Sequence, residues 1–592
     1  MPPRDDTPAT QSPQPTGMLF ALASAKGNSM RLSVASIIVV LAVVTYASPR
    51  AQEPLRLTPA VAQLVVIDAF VTDDKGRPVS TLAAEDFELR EDHRLVPIAA
   101  FESPRVSSLT SADGFKPGES GAQKATTPDA EVMVIYIDRK LLSPGGRRLA
   151  VQQSQALATE HLRAGGRVVV VGEDAHLRPL TPVTADPGEV RKALDRFGEL
   201  AIQSPGADHE RIVLSQFEAI IKSVGCIEGL PQLINVVRDY ARWRAIDTQE
   251  TRDRLNRLVD ALVGLPGRKA FVYVSEGLEQ RPGIHLFEQI FSICPEALHK
   301  EGTQILAAMQ EIETSSLMKE ASARANAARV TFYPIDARGL MSATSMDISR
   351  WDRRFIPGAK NDFIRDANLV NSYQLLAEET GGFPIVRGLS PAVATKRLQA
   401  EAAGHYVLAF APARDPDGKA HDITVQLKKE RRGIRIRHRM SYLHAEPSVQ
   451  RGQRALSALM FGLEENGLRA TLDIQRTPTA ASGETSATVR IRVSLDALRF
   501  EDSAEGRQAR VRVVVALRSV NGDASRAPAV VREKEFTIAS AAVTTPPTST
   551  HDVVVDVPVD GSSYDFAVGI EDIASGVATY LRRTLDRADT RG

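Results

Sequence analysis

Acidic residues close four apolar runs of this chain. Asp138 follows VMVIYI, Glu173-Asp174 follows RVVVVG, Glu276 follows KAFVYVS, and Asp336 ends RVTFYPID. An apolar run without alternation fits a strand buried on both faces of a parallel sheet. An acid at its carboxyl end stands where open α/β sheets place their ligand crevices. Carboxylates gathered on one such rim hold a divalent cation or receive the polar groups of a partner. Strand ends are also polar for a plainer reason: the chain turns there, and acids cap the helices that follow.

The elements needed to build that rim are legible from Glu131 onward. Between the strand candidates lie amphipathic stretches; in one, Val190, Ala193, Leu194 and Phe197 recur at helical spacing. A later helix starts near Ser372 and stops at Gly381-Gly382, and Ser390-Pro391 opens the next as cap and first turn. Strands alternating with such helices predict a doubly wound parallel sheet.

Catalytic constellations are thin. The chain has no Gly-x-Ser-x-Gly elbow, no glycine-rich phosphate loop and no His-Glu-x-x-His. Its eleven histidines are scattered, among them His161 in a helix and His405 at a strand start, and Cys226 has no evident histidine partner. The expectation is a protein that is not an enzyme.

At 592 residues the chain is too long for one core and predicts about three units. With 43% hydrophobic and 25% charged residues it reads as globular, and its zero net charge argues against nucleic acid as a partner. Met30-Arg31, the apolar stretch Val34 to Val44 and the small residues around Ala47 form a signal-peptide pattern, with cleavage placed after Ala47. The predicted location is therefore periplasmic or extracellular, with membrane association only if the segment stays uncleaved as an anchor. In that oxidising place Cys226 and Cys294 either pair or remain two thiols.

Two β-rich regions flank the α/β pattern. Gln63 to Thr72 and Asp86 to Arg90 read as strands around the turn Asp73-Asp74-Lys75-Gly76, and Pro104 to Pro128 reads as a linker. From Ile434 to Met440 alternation puts Arg435, Arg437 and Arg439 on one face, a stripe for an acidic surface or a solvated outer face. Each region is too small for its own core, so one Ig-like sandwich assembled from both is predicted, with the α/β domain inserted between. Beyond Glu446 a further all-β domain is expected from strands such as ATVRIRVSL (487–495) and ARVRVVVAL (509–517). In the second, Val514 breaks the polar face, implying a bulge or burial on two sides.

Several words of this sequence carry a family resemblance: VTDDKGRPVSTLAAEDFELREDHRLVPIAAFE (71–102), GRKAFVYVSEG (267–277), ANAARVTFYPIDARGL (325–340), LAEETGG (376–382) and HYVLAFAPARDPDGKAHDITVQLKKERRGIRIRHRMSYL (405–443). Together they make the chain resemble the von Willebrand factor A-like proteins of bacteria, in particular the VWFA-related family of exported proteins, over about residues 58–443. The resemblance implies a metal-ion-dependent adhesion site, with Asp-x-Ser-x-Ser after the first strand, a threonine from a later loop, and an aspartate after the fourth strand. Asp138 matches. Lys140 and Leu142 stand at the serine positions, Ser143 is one residue late, Glu276 replaces the aspartate, and Ser204 is the nearest hydroxyl to the missing threonine. Mg²⁺ or Mn²⁺ on Asp138, Ser143 and Glu276 would thus be held by a degenerate set, with an ammonium beside it. In a second reading Lys140 takes the cation's place between Asp138 and Glu276, and the three meet an acidic partner.

These readings divide the chain into a leader and signal peptide (1–51), an N-terminal Ig-like β segment (58–103), a linker (104–130), the α/β domain (131–403), a β segment completing the Ig-like sandwich (404–446) and a C-terminal β-sandwich (447–592). The functional expectation is an exported, non-catalytic protein that binds another protein through the carboxyl rim of its parallel sheet. A structural scaffold of an envelope assembly with a vestigial rim is the alternative, and an uncharacterised hydrolase the remaining one.

Overall fold

The structure is a computed structural model that describes residues 64–587, leaving out 105–130, 174–176, 201–204, 266, 339–358, 387, 413, 430, 445, 479–484, 504–505, 521–528, 540–548 and 561. The leader and signal segment, the body of the linker, Asp174 and Ser204 therefore lie outside the described residues.

The strands run in chain order as β1 (Val65–Thr72), β2 (Phe87–Glu91), β3 (Arg94–Val96), β4 (Ala100–Glu102), β5 (Val132–Ile137), β6 (Arg167–Glu173), β7 (Leu177–Pro179), β8 (Lys269–Ser275), β9 (Val330–Asp336), β10 (His405–Phe410), β11 (Ala420–Leu427), β12 (Arg435–His438) and β13 (Ser441–Leu443). The helices among and after them are α1 (Pro144–Arg163), α2 (Pro187–Glu199), α3 (Pro205–Val224), α4 (Cys226–Leu262), α5 (Ile284–Ile293), α6 (Pro295–Gln310), α7 (Ser315–Ala327), α8 (Ala359–Glu379), α9 (Pro391–Ala403) and α10 (Pro447–Phe461).

One five-stranded sheet has the order β7-β6-β5-β8-β9. Its four main strands are parallel, and β7 closes the edge antiparallel to β6. Every residue of β5, β8 and β9 is buried, which is why these strands read as unbroken apolar runs. On one face α1, α2 and α9 cover Met133, Ile135, Val170 and Val272. On the other, α7, α8 and the carboxyl half of α4 cover Val134, Tyr136, Phe271 and Phe332. The strand order reverses between β5 and β8, so the crevice of this sheet opens between Asp138 and Glu276.

Helix α4 is longer than the sheet is tall. Its 37 residues span about 55 Å, whereas a strand of seven covers about 23 Å. Leu255, Leu258, Val259 and Leu262 pack on the sheet, while Leu230, Leu233, Ile234, Val237 and Tyr240 join α3, α5 and α6 in a separate helical core. Cys226 and Cys294 are joined in a disulfide, tying the start of α4 to the end of α5.

The flanking β segments pair with each other. The sheets β12-β1-β10-β4 and β13-β11-β2-β3 each mix strands from both sides of the α/β unit. Ile67, Val71, Phe87, Tyr406, Phe410 and Val425 fill the space between them. At the turn after β1, Gly76 adopts φ +75°, and the Asp73 carboxylate accepts from the backbone of Lys75 and Arg77. The arginine stripe of β12 is neither free nor solvated along its length. Arg437 donates to the carbonyls of Gly381 and Gly382 at the end of α8, and to Glu401. Arg439 is buried and donates to the carbonyls of Asn326 and Val66. Guanidinium groups there satisfy carbonyls that a helix end leaves without partners.

Beyond Glu446 the structure departs from an all-β reading. Helix α10, with Pro447 in its first turn and Gly462 at φ +71° ending it, comes before the strands. It lies against Val514, Ala516, Ala567 and Tyr580. That explains the broken polar face: Val514 is buried under α10 while Val511, Val513 and Val515 fill the core between the sheets, and a register shift falls at Val515/Ala516.

Candidate partner-binding rim

At the carboxyl end of β5 the chain makes one tight turn, Arg139–Leu141, before Ser143 caps α1. Ser143 is set there by local chemistry: its hydroxyl oxygen accepts from the Gly146 backbone at 3.0 Å, and Pro144 fills the first helical position. The same hydroxyl donates to Glu276 Oε1 at 2.7 Å, and the Ser143 backbone N–H donates to Glu276 Oε2 at 3.0 Å. The Glu276 backbone N–H in turn donates to Leu141 O at 2.8 Å. The loops after β5 and β8 are thus latched across the crevice. The latch needs a glycine at 146, because a Cβ there would fall 1.5 Å from Glu276 Oε1. Burial pushes the Glu276 carboxyl above its usual range; the Ser143 hydrogen bonds oppose this, and nearby Asp336 adds to it.

Asp138 faces elsewhere. Its side chain is wholly buried and lies against Arg254 of α4, whose Nη2 stands 3.2 Å from Oδ2 and 3.5 Å from Oδ1. Tyr273 donates its hydroxyl to Oδ2 at 3.2 Å, and Arg254 also donates to the Thr251 hydroxyl at 2.6 Å. Burial, reinforced by the Asp138 carboxylate, holds the Tyr273 phenol well above its ordinary pKa. Arg254 is 2% exposed. Its position continues the buried stripe Thr251, Leu255, Leu258, Val259 and Leu262, so a charged residue on an apolar helix face was the signal that could have found it.

Lys140 does not join Asp138 to Glu276. It is 52% exposed and pairs with Glu250 of α4 at 3.3 Å. The physical reason is desolvation: an ammonium is strongly hydrated, whereas a guanidinium is less so and carries a donor fork that suits a buried carboxylate. The cation beside Asp138 is therefore an arginine from a distant helix.

Asp336, the other rim acid whose side chain is described, is engaged too. Asp336 accepts from Arg338, which also reaches Asp366. Where α4 rises past the sheet, Arg244 donates to Glu279 at 3.0 Å, to Asp247 at 2.8 Å and to the Gly277 carbonyl at 3.0 Å. Burial raises the Asp247 carboxyl, although Arg244 opposes it.

These donors do not fit Mg²⁺ or Mn²⁺. Asp138 already has a fixed cation, Ser143 is committed to Glu276 and to its helix, and Asp138 and Glu276 belong to different hydrogen-bond networks. Among the described residues no group of three His, Cys, Asp or Glu side chains is placed to hold a metal ion.

The chain is a mixed α/β and β-rich protein, with one mainly parallel sheet and several antiparallel ones. No family model matches it, and no curated protein does. Among solved structures it is similar to the conserved hypothetical protein BatB from Bacteroides thetaiotaomicron, at 10% identity and a TM-score of 0.21 over 46% of this chain and 98% of that one. An aerotolerance-related membrane protein from Bacteroides fragilis NCTC 9343 gives 11% identity and 0.21, with the same coverage. The three N-terminal domains of the type V pili tip protein Mfa5 from Porphyromonas gingivalis give 11% and 0.20, over 77% of this chain and 71% of that one. Scores this low carry no argument about fold or activity. No helix among the described residues is long and apolar enough to cross a membrane.

Proposed function

We propose that this is an exported, non-catalytic, von Willebrand A-like protein that binds a protein partner through the carboxyl rim of its parallel sheet without a divalent cation. The observation carrying the proposal is the Asp138–Arg254 pair, which places a protein cation beside the acid of the first strand. With the inner carboxylates satisfied internally, recognition falls to the outer groups. Lys140 and Glu250 are exposed there, and Ser143 and Glu276 are half-buried beneath them. Lys140 is the group that meets an acidic side chain of the partner. The Cys226–Cys294 disulfide supports an oxidising compartment and hence export, periplasmic or extracellular.

The same internal pairing favours one competing reading, a structural module of an envelope assembly whose rim meets nothing. The two separate in one experiment. A photo-crosslinking amino acid in place of the neighbouring, partly exposed Arg139, which leaves Lys140 intact, is used in the native cells to capture the partner, whose affinity is then measured for the full-length protein. Binding should be equal in Mg²⁺ and in EDTA, and Lys140→Glu should weaken it by about tenfold, about 1.4 kcal/mol, with no change in melting temperature. EDTA-sensitive binding overturns the cation-free mode. Binding untouched by Lys140→Glu, or no crosslinked species, overturns the rim and leaves the scaffold.

A further inference from the structure

At the opposite, amino-terminal end of the parallel sheet, a cavity of about 420 Å³ opens between the α/β unit, α10 and the carboxyl-terminal strands. Its lining carries three bases, Lys269, Arg329 and Arg454, against one acid, the exposed Glu465. Lys269 opens β8 and is 2% exposed. Its ammonium donates to the Leu265 carbonyl at 2.9 Å, and among the described residues no carboxylate pairs with it. Asp68, the acid whose field reaches Lys269, is bonded to Arg329 at 2.9 Å. Arg454 projects from the exposed side of α10 with no carboxylate partner among the described residues. Beyond Arg329, buried Arg439 donates to the backbone carbonyls of Asn326 and Val66, with Asp68 acting on it through its field.

Lys269 is therefore a buried base without a carboxylate partner among the described residues, and the backbone beside it is strained. Arg329 sits at φ +53°, a conformation that glycine or asparagine adopts at lower cost, and its carbonyl accepts from the Lys269 backbone at 3.0 Å. Unpaired buried cations are costly unless a counter-charge completes them. The volume lies within the range of small-molecule sites, about 300–1,000 Å³.

We propose that this cavity binds a small anion through an oxyanion group, phosphate or carboxylate, seated on Lys269 with Arg329 and Arg454 beside it. Burial, with Arg329 alongside, lowers the Lys269 amine to about 7, and a bound oxyanion would restore its charged form. Gln453, whose amide donates to Asp260, and Tyr580 complete the wall and limit the ligand to one that leaves them in place.

The test is calorimetric titration of the full-length protein near neutral pH with inorganic phosphate and, separately, with succinate, each against sodium chloride of equal ionic strength. Saturable binding of either probe, weakened about tenfold or more by both Lys269→Met and Arg454→Ala, supports the site, and the probe that binds identifies the oxyanion. Arg454→Ala lies on an exposed helix face, so it keeps the test valid if Lys269→Met does not fold. No saturable heat with either probe, or binding that Arg454→Ala leaves unchanged, overturns the proposal.

Discussion

Arg254→Met should destabilise the α/β unit by about 3 kcal/mol, the lower end of the range for removing one partner of a buried pair. The lower end follows from geometry. A single nitrogen, Nη2, spans both Asp138 oxygens at 3.2 and 3.5 Å, so this contact is not the bidentate fork. Without Arg254, Asp138 keeps the Tyr273 hydroxyl, one donor for a wholly buried carboxylate. Asp138→Leu alone strands the guanidinium and should cost a similar amount. The double variant removes both charges from the interior and should recover to within about 1 kcal/mol of the native protein. Urea unfolding followed by circular dichroism measures all four corners of the cycle. Two results would refute the reasoning: a loss below about 1 kcal/mol for Arg254→Met, or a double variant no better than the worse single one. The cycle also carries a metal arm. Mg²⁺ and Mn²⁺ should leave the native midpoint unmoved. Arg254→Ala frees only Asp138, with Ser143 and Glu276 still bound to each other, so metal should leave that variant's midpoint unmoved as well. A native midpoint that rises with metal would mean that the ion displaces Arg254.

Three further outcomes follow from named contacts. Gly146→Ala should cost about 1–3 kcal/mol in thermal melts, because its Cβ must evict the Glu276 carboxylate from Ser143, and Glu276→Ala in the same chain should relieve most of that loss. Replacing Cys226 and Cys294 by serine opens a loop of 68 residues, worth about 4 kcal/mol by loop-closure entropy. Because the constraint acts on the unfolded chain and β8 lies inside the closed loop, the loss should appear as a lower urea midpoint for the whole α/β unit; a midpoint unchanged in the double serine variant would contradict it. Lys269 gives a pH dependence: its folded pKa of about 7 lies below the ordinary lysine value of 10.5, so across that window the unfolded chain holds a proton that the folded chain does not. Stability therefore rises with pH from about 7 towards 10.5, and Lys269→Met, which lacks this titration, should exceed the native protein most below pH 7, by a few kcal/mol, and lose that advantage at higher pH. Melts in buffers free of polyvalent anions decide it, and an advantage independent of pH would refute the shift.

The sheet was legible because burial on both faces leaves a simple trace. VMVIYI, KAFVYVS and VTFYPID admit no solvent-facing side chain, and each ends at the acid that marks the rim. Ser143 shows how the same residues can be read two ways. Ser390-Pro391 reads as a helix cap, and Ser143-Pro144 uses the same chemistry, with side-chain acceptance from Gly146. Beside an acidic rim it instead suggested a displaced metal ligand. Helix α10 was missed for a different reason: it lies before strongly alternating strands, and its buried face, Ala455, Ala458 and Leu459, is short. The guanidinium stripe of β12 looked exposed because period-2 patterning reports which side a residue faces, not what covers that side.

Arg254 was hidden by distance. It stands 116 residues from Asp138, in a helix with several other arginines, most of which belong to solvated faces. What separates it from Arg238, Arg242 and Arg252 is phase, since it falls in line with Thr251, Leu255 and Leu258. An arginine in phase with a core stripe must find a buried acid or destabilise the fold. Among the rim acids whose side chains are described, Asp138 is the most deeply buried, and so the one best placed to repay that desolvation. Lys140 looked like the nearer cation in sequence, but its ammonium sits on the first turn after β5, where water and Glu250 already satisfy it. The cation that fits beside Asp138 is therefore the arginine on α4, and the lysine stays at the surface.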